Sequence, residues 1–263
     1  MGMLIKYDLK GNFKKFFIML MIMAILNIAL LLKVNAGSNG MNSIFAGLLV
    51  TLNVVFNFAA LLICLNDFQR ELYDDRAYLT FTLPVNGKQI IGSKVISTFI
   101  WLFITAALSV IFILMLLGGT GEINFSLLKI NQNIVMQIII TLVYMFIDSF
   151  IFICLAYFAM ILPKMANLNV KLGKFLGGLI FIGLMVGLTY VNVKICVVFP
   201  KEMVINSVSG VSVRIPASDG MELFLVTGKE TMINIAGFIY SVVLSVVLFV
   251  TNSYLVENRL DIK

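Results

Sequence analysis

Residues 95–117, VISTFIWLFITAALSVIFILMLL, contain no charged side chain, and the only polar side-chain groups are the hydroxyls of Ser97, Thr98, Thr105 and Ser109 and the indole N–H of Trp101. A helix needs about 20 such residues to cross a hydrocarbon core about 30 Å thick. The run is continuous rather than alternating, so it does not read as a barrel strand, and in lipid a spanning helix satisfies its own backbone. Working outward, comparable runs occur at 16–32, 44–65, 134–162, 175–193 and 233–255. The chain as a whole is 61% hydrophobic and 12% charged, outside the usual range of soluble domains. The expected fold is an all-α polytopic membrane protein: one transmembrane domain over 1–263 with six transmembrane helices at those positions.

Charge sets the expected orientation. Thirteen Lys and Arg fall in the N-terminal tail, the second and fourth connecting segments and the C-terminal tail; six fall in the other connections. Four of those six lie in one long segment, where the bias counts less. Both termini are therefore expected in the cytoplasm. A cleaved signal peptide ending near Val34–Ala36 is the competing reading of the first run, but the run is long for a signal core and five more follow.

The connections are not equivalent. In residues 1–15, Ile5, Leu9 and Phe13 recur at helical spacing beside a stripe of Lys6, Lys10 and Lys14. This predicts an amphipathic interfacial helix against anionic lipid headgroups, or a plain basic flank. Residues 66–94 are cytoplasmic by the charge count. Leu65, Phe68, Leu72 and Leu79 share a face there, and Arg70 and Asp74 are spaced i,i+4, which suits a short helix beneath the membrane. Pro84 then breaks the chain, and Asn86 followed by Gln89 marks the next helix start. Residues 163–174, PKMANLNVKLGK, are short and basic, a cytoplasmic contact or a simple anchor. Residues 194–232 form the expected small extracellular cap. There VINSVSGVSVRIP, 204–216, alternates like a hairpin turning near Ser209–Gly210, and MELFLVTG, 221–228, suggests a short re-entrant or interfacial helix.

Polar groups inside the spans are few. Asp148 is the acid placed well within one; it is a candidate for ion coupling or for holding helices together. Asn27, Asn53 and Asn57 either line a translocation path or hydrogen-bond helices to one another. Gly173–Gly177 and Gly183–Gly187 have GxxxG spacing and suggest close helix packing. The chain has no histidine, which removes His-based metal sites and triads. Cys64, Cys154 and Cys196 are widely separated and read as small apolar packing residues. No catalytic constellation or metal site is expected, and no nucleic-acid partner.

ELYDDRAYLTFTLPVNGKQIIGSK, 71–94, resembles the segment between the second and third spans of bacterial ABC-2-type transporter permeases, where an acidic pair, a Tyr-Leu and a Thr-Leu-Pro precede a polar helix start. NSYLVENRLDIK, 252–263, is similar to their C-terminal tail. Arg76 departs from the small residue usual after the acidic pair. The resemblance implies that 66–94 carries a coupling helix seated in a groove of a separate ATP-binding subunit. Asp67, Arg70, Glu71, Asp74, Asp75 and Arg76 would orient the docking, while Phe68, Leu72 and Tyr73 supply buried contact. ATP and Mg would reside on that partner, since this chain lacks GxxxxGK[ST]. It also implies a second permease subunit, identical or homologous, and a bacterial plasma membrane location.

The leading expectation is thus the membrane subunit of an ATP-driven exporter for an amphiphilic or hydrophobic substrate: a peptide antibiotic, a lipid or a drug. The alternatives are an ATP-independent carrier or channel using Asp148, and a membrane subunit for antimicrobial-peptide sensing or resistance.

Overall fold

The computed structural model describes residues 2–36, 39–73, 87–119, 132–166, 170–206, 210–214, 224–226 and 230–258. Six helices among them are long and apolar enough to cross a membrane, over Gly2–Val34, Ile44–Leu72, Gly87–Leu116, Val135–Met165, Phe175–Val198 and Ile235–Glu257. The chain is a multi-pass helical membrane protein. It forms two compact units, one drawn from Met1–Val85 and Gln89–Leu128, the other from Asn86–Lys88 and Lys129–Lys263.

The first unit contains α1 (Gly2–Ala36), α2 (Asn39–Tyr73) and most of α3 (Gly87–Gly119). Side-chain contacts step down α1 as they step up α2: Lys15 meets Asp67, Asn27 meets Asn53, and Val34 clusters with Leu49. The two helices are therefore antiparallel. The third runs alongside with Lys94 beside Glu71, Trp101 stacked on Phe16, Ser109 on Asn57 and Leu116 on Leu49. A core of Phe16, Met19, Ala60, Cys64 and Trp101 joins all three.

Two expectations are corrected here. Residues 1–15 are not a separate interfacial helix: Gly2–Ala36 is one uninterrupted helix that runs through Gly11. Likewise 66–73 is not a detached helix but the continuation of α2. At about 1.5 Å per residue each of these helices is about 50 Å long, which exceeds an apolar core of about 30 Å. The start of α1 and the end of α2 thus overhang together. The predicted helix start after Pro84 is borne out by α3 opening at Gly87; residues 74–86, with Asp74, Asp75, Arg76 and the Thr-Leu-Pro, lie outside the described residues.

The second unit contains α4 (Gln132–Met165), α5 (Val170–Val198) and α6 (Ile235–Asn258). Phe152 of α4 meets Phe181 of α5 edge-on, and Tyr240 donates to the Leu188 carbonyl. Asn252, fully buried, donates to the Cys154 carbonyl at 2.7 Å and ties α6 to α4. Between α5 and α6 sits a four-stranded antiparallel sheet of β1 (Glu202–Asn206), β2 (Gly210–Arg214), β3 (Phe224–Val226) and β4 (Glu230–Asn234), ordered β2-β1-β4-β3. The fold is therefore helical with one small sheet rather than strictly all-α. The hairpin before Arg214 is as expected, with Asn206 opposite Gly210. The helix expected within 221–228 is not: Phe224–Val226 pairs with β4 as a strand, because Phe, Leu and Val fit a half-buried pleat and β4 offers a free edge there.

The sheet is fastened to the helices. Asn234 caps α6, its Oδ1 accepting from the Gly237 amide at 3.0 Å, and its Nδ2 donates to the Phe199 carbonyl at 3.2 Å. Gln137 Nε2 donates to the Ile205 carbonyl at 2.7 Å. Gly237 packs closely here: a Cβ there would stand 2.8 Å from Cys196 Sγ.

Candidate functional site

The overhanging end of the first unit collects its charges. Asp8 and Lys15 lie on α1, Asp67, Arg70 and Glu71 on α2, and Lys94 near the start of α3. Asp67 and Glu71 are one turn apart on α2 and would repel each other if unpaired. Cations separate them: Lys15 pairs with Asp67, while Lys94 Nζ lies 2.5 Å from Asp8 Oδ1 and 2.6 Å from Glu71 Oε1. The Lys94 side chain is 11% exposed, so this bridge is largely out of water. One ammonium thereby ties three helices together at their polar end.

A cleft of about 450 Å³ opens between α1 and α2 beside these pairs. Tyr7, Asp8, Asn12, Lys15, Asp67, Arg70 and Glu71 contribute its polar lining, and Gly11 its floor. Two carboxylate oxygens, Asp8 Oδ2 and Asp67 Oδ2, are shielded from water and accept no hydrogen bond from the described residues.

Deeper in the unit, the span amides are taken up between helices. Asn53 Nδ2 donates to Asn27 Oδ1 at 2.8 Å and to the Leu49 carbonyl at 2.8 Å. Asn57 Nδ2 donates to Ser109 Oγ at 2.7 Å, and Thr105 Oγ1 donates to Asn57 Oδ1 at 3.1 Å. With no water in the apolar core, such bonds are the available way to satisfy these amides, and each adds on the order of 1 kcal/mol. Asn27→Leu and Asn53→Leu should therefore each destabilise the protein by about 1 kcal/mol and be coupled by a similar amount in a double-mutant cycle. Reversible unfolding in mixed micelles measures this; additive effects would mean that the pair is not coupled.

The structure brings part of the sequence-predicted site together and disperses the rest. Asp67, Arg70 and Glu71 share the cleft, and Asn27, Asn53 and Asn57 form the hydrogen-bonded ladder below it. Phe68 and Leu72, expected to contact a partner, are 3% and 1% exposed, so both are already buried within this chain. Tyr73 ends α2, and nothing is described of its side chain or of 74–86. Asp148 belongs to the second unit, on an exposed face of α4. Sequence reasoning missed Asp8, Lys15 and Lys94 as a group. The acidic pair Asp67 and Glu71 at i,i+4 was the available signal, since a buried pair of that spacing demands cations from neighbouring elements.

No family model matches the chain, and neither a curated protein nor a solved structure is found to be similar to it.

Proposed function

We propose that this protein is the membrane subunit of an ATP-driven ABC exporter in a bacterial plasma membrane. It works with a separate ATPase that carries ATP and Mg and with a second permease subunit, identical or homologous. The observation that carries this reading is the ionic clasp at the polar end of α1, α2 and α3. A push delivered to the segment that follows α2 reaches a helix which is continuous into the span and locked to its neighbours, so force travels without a soft joint. ATP binding on the partner biases two states of the membrane helices only through its differential affinity for them. The sequence resemblance of 71–94 supports the same reading, and so does the ordered sheet between α5 and α6. The substrate class is amphiphilic or hydrophobic: peptide antibiotic, lipid or drug. Docking contact must come from residues beyond Leu72 and from exposed side chains such as Arg70, since Phe68 and Leu72 are buried.

The test is purification of the tagged chain from its native membrane with identification of the proteins that accompany it. A stoichiometric ATPase is expected, and the combination of Arg70→Glu with Asp74→Lys is expected to lower its retention about tenfold, as loss of a docking charge pair does. If the chain comes away alone and transports without ATP, the reading fails. Asp148 carries the second reading: an acid on an exposed face midway along a span is costly unless water or another subunit meets it. Abolition of ATP-independent transport by Asp148→Asn would establish a carrier instead.

A further inference from the structure

We propose that Asp148 is the counter-ion for a hydrophobic organic cation that binds on the exposed side of α4 in the second unit. Tyr144, Asp148 and Phe152 follow one another at single turns of α4 and so share a face. Tyr144 stacks on Phe238 of α6 with ring centres 6.4 Å apart, and Phe152 meets Phe181 of α5 edge-on at 5.2 Å. Along this face α4 passes from contact with α6 to contact with α5, and Asp148 stands at the crossing. Its side chain is nevertheless exposed, and no described residue hydrogen-bonds to it or forms an ion pair with it.

The matching charge must come from outside the chain. An ionised acid at this depth is costly unless a partner meets it. The six apolar runs contain no Lys or Arg, so neither this chain nor a second copy seated at the same depth offers one. Lys194, past the outer end of the α5 run, lies over the Tyr190 ring, 5.4 Å from its centre. A metal ion needs several oxygen ligands, and among the described residues no three Asp, Glu, Cys or His side chains come together. An organic cation needs only the one carboxylate. Its apolar body suits Met145, three residues before the acid and 58% exposed, and the rings of Tyr144 and Phe152 on either side add cation–π attraction. Such binding needs neither ATP nor a partner, so its failure leaves the exporter reading standing. Within that reading it narrows the cargo to cationic amphiphiles.

The test uses the full chain in lipid nanodiscs, with labelled tetraphenylphosphonium as the probe and empty nanodiscs to subtract its partition into lipid. Saturable binding is expected. Tetraphenylborate, of the same shape and opposite charge, should show none. Asp148→Asn is expected to weaken tetraphenylphosphonium binding at least about tenfold. Binding that does not saturate, that tetraphenylborate matches, or that is as tight in a folded Asp148→Asn protein overturns the proposal. Should Asp148→Asn fail to fold, Met145→Lys decides. It places an ammonium one turn from the carboxylate and must abolish binding, whereas Met145→Leu must leave it unchanged. Unchanged binding in Met145→Lys, or equal loss in both variants, overturns the proposal. If instead the wild type binds no tetraphenylphosphonium and Asp148→Asn separates two copies of the chain, the acid serves a subunit contact and the proposal fails.

Discussion

Replacing Lys94 with methionine is expected to destabilise the first unit by about 3–5 kcal/mol, the usual consequence of removing one partner from a buried ion pair. Methionine keeps most of the length of the lysine stem, so packing is little changed and the loss is electrostatic. What remains are Asp8 and Glu71, with side chains only 15% and 26% exposed, facing a site with no cation between them. The pair becomes two uncompensated carboxylates at once. The same logic predicts a rescue: Asp8→Asn and Glu71→Gln added to Lys94→Met should recover most of the stability, because a neutral amide pair needs no counter-ion. The chain offers a convenient reporter. Trp101 is its one tryptophan and stacks on Phe16 with ring centres 4.1 Å apart in this unit. Its fluorescence on thermal or denaturant unfolding in lipid nanodiscs therefore follows the first unit. A Lys94→Met protein within about 1 kcal/mol of wild type would show that the bridge is well solvated, so that its exposure has the small consequence of a surface pair. A triple variant no more stable than the single one would mean that lost stem packing, not stranded charge, is responsible.

That lysine also shows what the sequence could and could not disclose. The six spans were legible because apolar length is a one-dimensional property, and each observed helix contains or closely matches its expected run. The hairpin at Glu202–Arg214 was legible from alternation around Gly210. Helix ends were not. Polar residues on α1 before Phe16 and on α2 after Leu65 read as separate surface elements, since amphipathicity cannot tell a helix that lies on a membrane from one that projects out of it. The same ambiguity misplaced Phe68 and Leu72: an apolar face beneath a membrane was assigned to a partner, whereas both side chains are buried within the chain itself. Lys94 counted in the sequence only as one more positive charge. Its pairing with Asp8 and Glu71 joins residues 86 and 23 positions apart, a relation that only packing reveals. The strand at Phe224–Val226 was read as a helix for a similar reason, because its partner strand β4 comes later in the chain and alone decides it.

Gly87→Ala is expected to loosen the second unit by about 1–3 kcal/mol, the range for forcing a methyl group into a closed contact. In the sequence the residue follows Asn86 at a helix start, and that reading would tolerate alanine, a better helix former. The structure gives a different reason for glycine. An added Cβ would collide with the Ser253 carbonyl oxygen and stand 2.9 Å from Glu257 Cβ and 3.2 Å from the Glu257 amide nitrogen. Two of these three atoms are backbone on a regular turn of α6, so they cannot swing aside as a long side chain would. The start of α3 must then lift from α6 and lose the bond from the Gly87 amide to Glu257 Oε2, 3.3 Å long. Amide exchange along the last turns of α6, Thr251–Asn258, should quicken roughly tenfold or more, as about 1.4 kcal/mol of lost protection implies. Lys88→Ala, at the exposed neighbour, should leave it unchanged. The serine variant separates the two possible causes. If turn chemistry governs, Gly87→Ser behaves like wild type, since serine is accepted at helix starts. If the contact with α6 governs, serine fails as alanine does, because both carry a Cβ.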